Sequence, residues 1–439
     1  MKKTKEKPLR PSWMKLDSAG TLYPATRTRS WNATFRFAFL LKEDVNPALL
    51  KQAVDALYDR FPWLYTQLEN GFFWSYLRPI PRNKNTGETS VLVCEENDYP
   101  CRKTRLFHTD EPMFRVLYYK NRLAVETFHA ACDGGAALEY IKTLTAKYLQ
   151  LNGVAIENGG ELLDWDVDPS EGELQNSYHA VYRKNASPAP KKVVSYQHRP
   201  PQMRGYFKLI HAIIPVADIK AKSKSYGISI TEYLVAVMFL ALQRIPLDRK
   251  QRHHPLTVRV PVSLRGIFGS ESQRNFSMFT HISLQPTPIR RTLDAIIEAL
   301  RGKLQEGITE ERMRAELCAN TGLLEKLPVR IVPYLLKRQV VKRSGYFSEL
   351  TSTTVITNLG IVKLPKSMQE HILRPEVILC STPFRRLQTA VISDGNIINF
   401  TFSGDSKDTS IAKEFIRALS EEGIRVRVET NCQGEEDRP

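Results

Sequence analysis

The sequence predicts a mixed α/β protein, an α+β sandwich built as two lobes, and three observations carry that expectation. Its 439 residues exceed the size at which one hydrophobic core keeps growing, so two packed units are expected. In both halves, apolar residues recur with the period of two that marks half-buried strands and with the period of 3.6 that marks helices. Between residues 154 and 205 this periodicity fades, and the stretches NASPAPKK and RPPQ have the proline-rich composition of a connection. The expected organisation is a first lobe over 1–153, a connecting segment over 154–205, a second lobe over 206–428 and a polar tail over 429–439.

Taken in order, Phe35, Phe37 and Phe39 alternate in TFRFAFLL and predict a strand with one buried face. Asn46 and Pro47 then mark a helix start, and Leu50, Ala53, Val54, Leu57 and Phe61 share one helical face up to Pro62. GFFWSYL reads as a strand. MFRVLYY and LAVETF, joined by Lys120, Asn121 and Arg122, read as an antiparallel pair. Ala137, Ile141, Leu144 and Tyr148 trace a further helix that closes near Asn152 and Gly153. The second half restarts with the strand FKLIHAIIPV and a helix closing at Gly227. Ser229 and Glu232 then stand in capping-box spacing ahead of YLVAVMFLAL. LTVRVPVSL, MFTHISL, STTVIT, LQTAVIS and IINFTFS read as strands, with helices between them and a last helix near 411–422.

Composition narrows the partners. The apolar share of 42% and the charged share of 25% are those of a globular protein with ample core. The 63 basic against 47 acidic residues leave +16, which favours anionic partners. Basic residues are not interleaved with aromatics, so a nucleic-acid surface is not expected. Six scattered cysteines lack CxxC spacing and indicate neither a zinc site nor a disulfide framework. The start MKKTKEKPLRPSW leads into no apolar core, and the longest apolar run, 233–242, is about half the roughly 20 residues that a membrane span needs. A cytoplasmic protein with a buried helix at 233–242 and no transmembrane segment is the expectation.

The chemistry concentrates in AVETFHAACDGGAALEYI, residues 124–141. A strand ending at Phe128 and His129 turns through Asp133, Gly134 and Gly135 into a helix, placing an imidazole at a strand end. Histidine titrates near neutral pH and suits a general base; the aspartate can fix the loop through hydrogen bonds or an arginine, and the glycines permit close approach. On spacing alone, a histidine and an aspartate four apart more often arise by chance.

FHAACDGG resembles the HxxxDG motif of the acyl-CoA-dependent acyltransferase superfamily, which includes chloramphenicol acetyltransferases, alcohol acetyltransferases and peptide-synthetase condensation domains. VRVPVSLRGIFGSESQRNFSMF at 258–279 is similar to the second-half segment of these enzymes, in which an arginine precedes an asparagine. TNLG at 357–360 looks like the Asn-x-Gly segment of the alcohol acetyltransferase branch. With LDSAGTLYP and RFPWLYTQLENGFFWSYL, the resemblance spans most of the chain and is closest to bacterial alcohol acetyltransferase-like proteins. Many relatives carry two consecutive histidines; here the first position is Phe128, as is common in the alcohol acetyltransferase branch.

The resemblance implies two chloramphenicol acetyltransferase-like lobes with mixed sheets and an active-site tunnel between them. It implies acyl transfer, with acetyl the expected group, from coenzyme A to an alcohol or amine acceptor, without an acyl-enzyme. His129 matches the catalytic base and Asp133 its catalytic partner, which braces the site through an arginine; Arg265 is the candidate and Gly134 opens the turn. Ser352, Thr354 and Asn358 are candidates for an oxyanion or pocket role. Acyl-CoA enters as co-substrate, with no permanently bound cofactor and no metal. An acidic acyl carrier protein as donor, or a non-catalytic binding module on the same fold, are the alternatives.

Two further temptations are weaker. Cys132 reads as a small buried apolar residue, and His253 and His254, adjacent in a turn, do not form a metal pair. YLLKRQVVKRSGY at 334–346 clusters Lys337, Arg338, Lys342 and Arg343 on an amphipathic pattern whose plainest reading is a solvated face.

Overall fold

The computed structural model describes residues 12–431, apart from 29–30, 103–111, 204, 252, 286, 288–290, 326–328 and 330. Strands and helices mix in both halves, as the two-lobed α/β expectation requires. The first lobe is organised on a five-stranded sheet in the order Ile372–Leu379, Thr34–Leu41, Arg122–Phe128, Phe114–Tyr119, Val93–Glu95. Phe35, Phe37 and Phe39 point from its second strand into a core that also holds Leu50, Val54, Ile141 and Leu144 of the covering helices Pro47–Ala56 and Gly134–Leu151. Each buried phenylalanine contributes about 1.5–3 kcal/mol, so this face defines the lobe. The helix at Pro47 begins as expected, its Asn46 side chain accepting from the N–H groups of Ala48 and Leu49. It closes at Ala56, and Leu57 and Phe61 are buried in the turns that follow.

The second half builds a five-stranded sheet ordered Thr357–Ile361, Leu387–Ser393, Ile397–Gly404, Lys208–Pro215, Arg427–Thr430. The helix Ile230–Arg244 starts in the predicted Ser229/Glu232 capping box, and residues 233–242 are all buried. Phe400 and Phe402 pack with Phe415 of the helix Ser410–Glu421 in the same core. No single helix among the described residues is long and apolar enough to cross a membrane. A separate three-stranded sheet, Ser277–Leu284, Leu256–Ser263, Thr354–Val355, pairs its first two strands antiparallel over a connection that carries Arg265, Arg274 and Asn275.

Four local expectations change. The strand read into GFFWSYL begins only at Ser75: Gly71 to Trp74 is a hairpin tip, closed by the Gly71 N–H on the Trp74 carbonyl, and Thr66–Asn70 is the partner strand. Ile372–Leu379 was not anticipated as a strand because Pro375 interrupts it; it lies at a sheet edge, where the missing N–H is tolerated. That strand pairs with Thr34–Leu41, so the chain region expected to form the second lobe donates a strand to the first. The segment 154–205 is packed in part: the helices Glu171–Leu174 and Ser177–Val181 lie within it, and the buried Ser195 and Tyr196 donate their N–H groups to the carbonyls of Leu350 and Pro255. The expected polar tail opens inside a strand, where Glu429 is paired with Arg374; residues 432–439 of that tail lie outside the described residues.

Candidate active site

The strand Arg122–Phe128 ends one residue before His129, whose N–H donates to the Ala33 carbonyl at 2.9 Å and so fixes the backbone at the strand end. The half-buried imidazole stacks on Tyr23 with ring centres 4.3 Å apart and meets Phe35 edge-on at 5.0 Å. Its Nδ1 lies 3.1 Å from Oδ1 of Asn275, which comes from the other half of the chain.

The orientation of Asn275 decides the tautomer. Its Nδ2 donates to Asp17 Oδ2 and to the His129 carbonyl, each at 3.1 Å, and turning the amide over would set its oxygen against a carboxylate and a carbonyl. Oδ1 must therefore face Nδ1 as an acceptor, so the proton sits on Nδ1 and Nε2 carries the lone pair. No hydrogen bond engages Nε2 among the described residues. Burial holds the His129 pKa below the ordinary 6.5, against the opposing pull of Asp133, so the ring is neutral at pH 7.

Asp17 is fully buried beneath Asn275 and accepts from Gly20 N–H at 2.6 Å and from the backbone N–H and side chain of Asn275. Burial pushes its carboxyl up, while Arg274, 3.9 Å away, pulls the other way.

Asp133 caps the helix Gly134–Leu151 through the Ala136 N–H, and both its oxygens receive Arg265 at 2.9 Å. The Phe276 N–H adds a fourth donor at 2.8 Å. Arg265 also donates to the carbonyls of Ser272 and Arg274, each at 2.6 Å. The fork thus ties the turn after His129 to the connection that delivers Asn275, and Asp133 makes no hydrogen bond to His129 itself. Gly134 sits close under Leu359, 3.2 Å from where a Cβ would project.

The remaining sequence candidates are held by other partners. Ser352 is buried, and its Oγ accepts from Arg385 at 3.0 Å. Arg385 pairs with Glu349, which also binds Arg259 at 2.8 Å. Thr354 is buried in its short strand beside Val258. Asn358 donates to Thr231 Oγ1 at 2.8 Å and accepts the Gly360 N–H, so both ends of its amide are engaged. None of the three is hydrogen-bonded to His129 among the described residues. Cys132 is fully buried, and burial pushes its thiol well up, which suits a packing residue.

Sequence reasoning assigned no role to Asp17, Tyr23 or Asn275. LDSAGTLYP and the asparagine after Arg265 were visible as resemblances, but only folding brings positions 17, 129 and 275 together.

No protein-family model and no curated protein matches the sequence. Solved structures do match in shape. TRI101 of F. sporotrichioides, crystallised with coenzyme A and T-2, aligns over 94% of this chain and 99% of its own with a TM-score of 0.59 at 12% identity. TRI3 trichothecene 15-O-acetyltransferase from Fusarium sporotrichioides aligns over 95% and 97%, with a TM-score of 0.59 at 8% identity. The first condensation domain of the CDA synthetase aligns over 94% and 96%, with a TM-score of 0.59 at 13% identity. Near-complete coverage on both sides means that the likeness extends to both lobes, and the chain has a two-lobed chloramphenicol acetyltransferase-like fold.

Proposed function

We propose that the protein is an acyltransferase that moves an acyl group, acetyl in the leading reading, from a coenzyme A thioester to the hydroxyl of an alcohol. The observation that carries this is the fixed tautomer of His129: a neutral imidazole with its proton committed to Asn275 and its Nε2 lone pair unengaged. In the reaction Nε2 takes the hydroxyl proton as the oxygen attacks the thioester carbonyl. The tetrahedral intermediate collapses with loss of the thiolate, which recovers the proton from the imidazolium. The acceptor oxygen attacks the thioester directly and the histidine only carries the proton to the leaving group, so no acyl-enzyme is needed. Asp133 and Arg265 act as positioning residues, holding the two halves in register around the histidine.

Support for the chemistry comes from the motif resemblance, and the structural neighbours agree with it, including an acetyltransferase and a protein crystallised with coenzyme A. The +16 charge and the condensation-domain neighbour favour one second reading, an acyl chain delivered on an acidic carrier protein. The deciding experiment measures thiol release from acetyl-CoA and longer acyl-CoAs against a panel of alcohols and amines, with the native protein and His129→Ala. Acceptor-dependent release that collapses in the variant is the expected result. Release only from a phosphopantetheinylated carrier would establish the second reading, and ligand binding without turnover, unchanged in the variant, would make the fold a binding module.

A further inference from the structure

The helix Tyr334–Leu350 is turned inside out for a globular protein. Its inward face carries Lys337, Gly345 and Glu349, all buried, whereas Leu335, Leu336, Val340 and Phe347 point outward and are 52–74% exposed. The hairpin tip continues this surface. Phe72 and Phe73 meet edge-on at 4.8 Å and are 72% and 43% exposed, and the Tyr334 N–H donates to the Phe72 carbonyl at 2.8 Å. Lys337 locks the two pieces together, donating to the Phe73 carbonyl at 3.0 Å while its ammonium sits over the Trp74 ring. A contiguous apolar platform of this kind marks an interaction site.

Its charges select the occupant. Arg338, Lys342 and Arg343 are interspersed with the apolar residues along the helix, Arg343 exposed and Lys342 over the Tyr346 ring, and the only acidic residue of the helix, Glu349, is buried against Arg259 and Arg385. A second copy of the chain would set cation against cation. Exposed leucine, valine and phenylalanine interspersed with arginine and lysine instead match the boundary between acyl chains and anionic headgroups. We propose that this face docks on the surface of an anionic lipid bilayer. Gly345 of the same helix lies against Leu22 and Thr26, the helix that places Tyr23 on the His129 ring, so a docked bilayer is one helix away from the imidazole. The docking does not depend on the acyl-transfer reading.

The test is co-sedimentation of the full chain with vesicles of phosphatidylcholine alone or mixed with phosphatidylglycerol. Binding is expected only with the anionic lipid and should weaken as salt is raised. Phe72→Ser with Phe73→Ser, and separately Lys342→Glu with Arg343→Glu, should each weaken it about tenfold or more. Unchanged melting temperatures would show that the variants fold. Absence of sedimentation, binding indifferent to these substitutions, or self-association in solution abolished by them would each overturn the proposal.

Discussion

Replacing Asp133 by asparagine keeps the size of the side chain and an oxygen for the helix cap but removes the charge that faces Arg265. Four N–H groups converge on the carboxylate: two from Arg265, one from Ala136 and one from Phe276. An amide presents a second NH2 group, so one side of the fork must oppose two donors. Net loss of a hydrogen bond to a charged group costs about 1.5–3 kcal/mol, and stripping a buried cation of its counter-ion costs about 3–5 kcal/mol. Arg265 keeps the Ser272 and Arg274 carbonyls, and its side chain is 18% exposed, which places the expectation near the lower end, about 3 kcal/mol. The assay is urea unfolding of both proteins, read at the transition midpoint. The sign with pH follows from the native carboxyl: burial raises its pKa, but Arg265 and the N–H groups outweigh burial and hold it below the ordinary 3.8. The contribution is therefore fully present above that value and is lost as pH falls through the depressed native one. The difference between the two proteins should shrink in acid. A cycle with Arg265→Leu should show the double variant less damaged than the sum of the singles. A loss below about 1 kcal/mol at pH 7, or strict additivity, would refute the reasoning.

The other predictions concern the histidine and its supports. His129→Ala should lower turnover by about 10²–10⁴, the usual worth of a general base, without altering the unfolding free energy in urea by more than about 1 kcal/mol. Because burial lowers the His129 pKa, the acidic limb of kcat/KM should lie below 6.5; a limb above that value would contradict the neutral imidazole. Asn275→Ala removes the acceptor that commits the proton to Nδ1, a bond worth about 1 kcal/mol, so kcat should fall at least about fivefold while KM for the acyl donor holds. Gly345→Ala would place a Cβ 2.5 Å from Thr26 Cγ2. The overpacking cost of about 1–3 kcal/mol exceeds the gain of about 1 kcal/mol in helix propensity, so the melting temperature should fall, and turnover with it as the helix bearing Tyr23 shifts.

The elements governed by local spacing are legible in the sequence itself. The alternating phenylalanines at 35, 37 and 39, the Asn46 cap, the Ser229/Glu232 capping box and the turn from strand to helix at Asp133 each follow from interactions within a few residues. A period of two or 3.6 records which face a segment buries, and that record is written into the sequence itself. The HxxxDG resemblance likewise selected His129 and Asp133, and the arginine of the second-half segment pointed to Arg265.

What the tertiary structure decided is everything that joins distant positions. Ile372–Leu379 was hidden by Pro375, since nothing local distinguishes a proline at a sheet edge from one that ends a strand. Its pairing with Thr34–Leu41 links the lobes across more than 300 residues of sequence, a registration set by complementary faces. The Asp17–Asn275–His129 chain was illegible for the same reason. Its three members come from the N-terminal segment, the second half and a strand end, and beside the histidine of the motif Asp17 and Asn275 are each, in sequence, ordinary polar residues. Single-sequence periodicity reports how a residue relates to its neighbours in the chain; a tautomer is fixed by neighbours in space, which only the packed lobes supply.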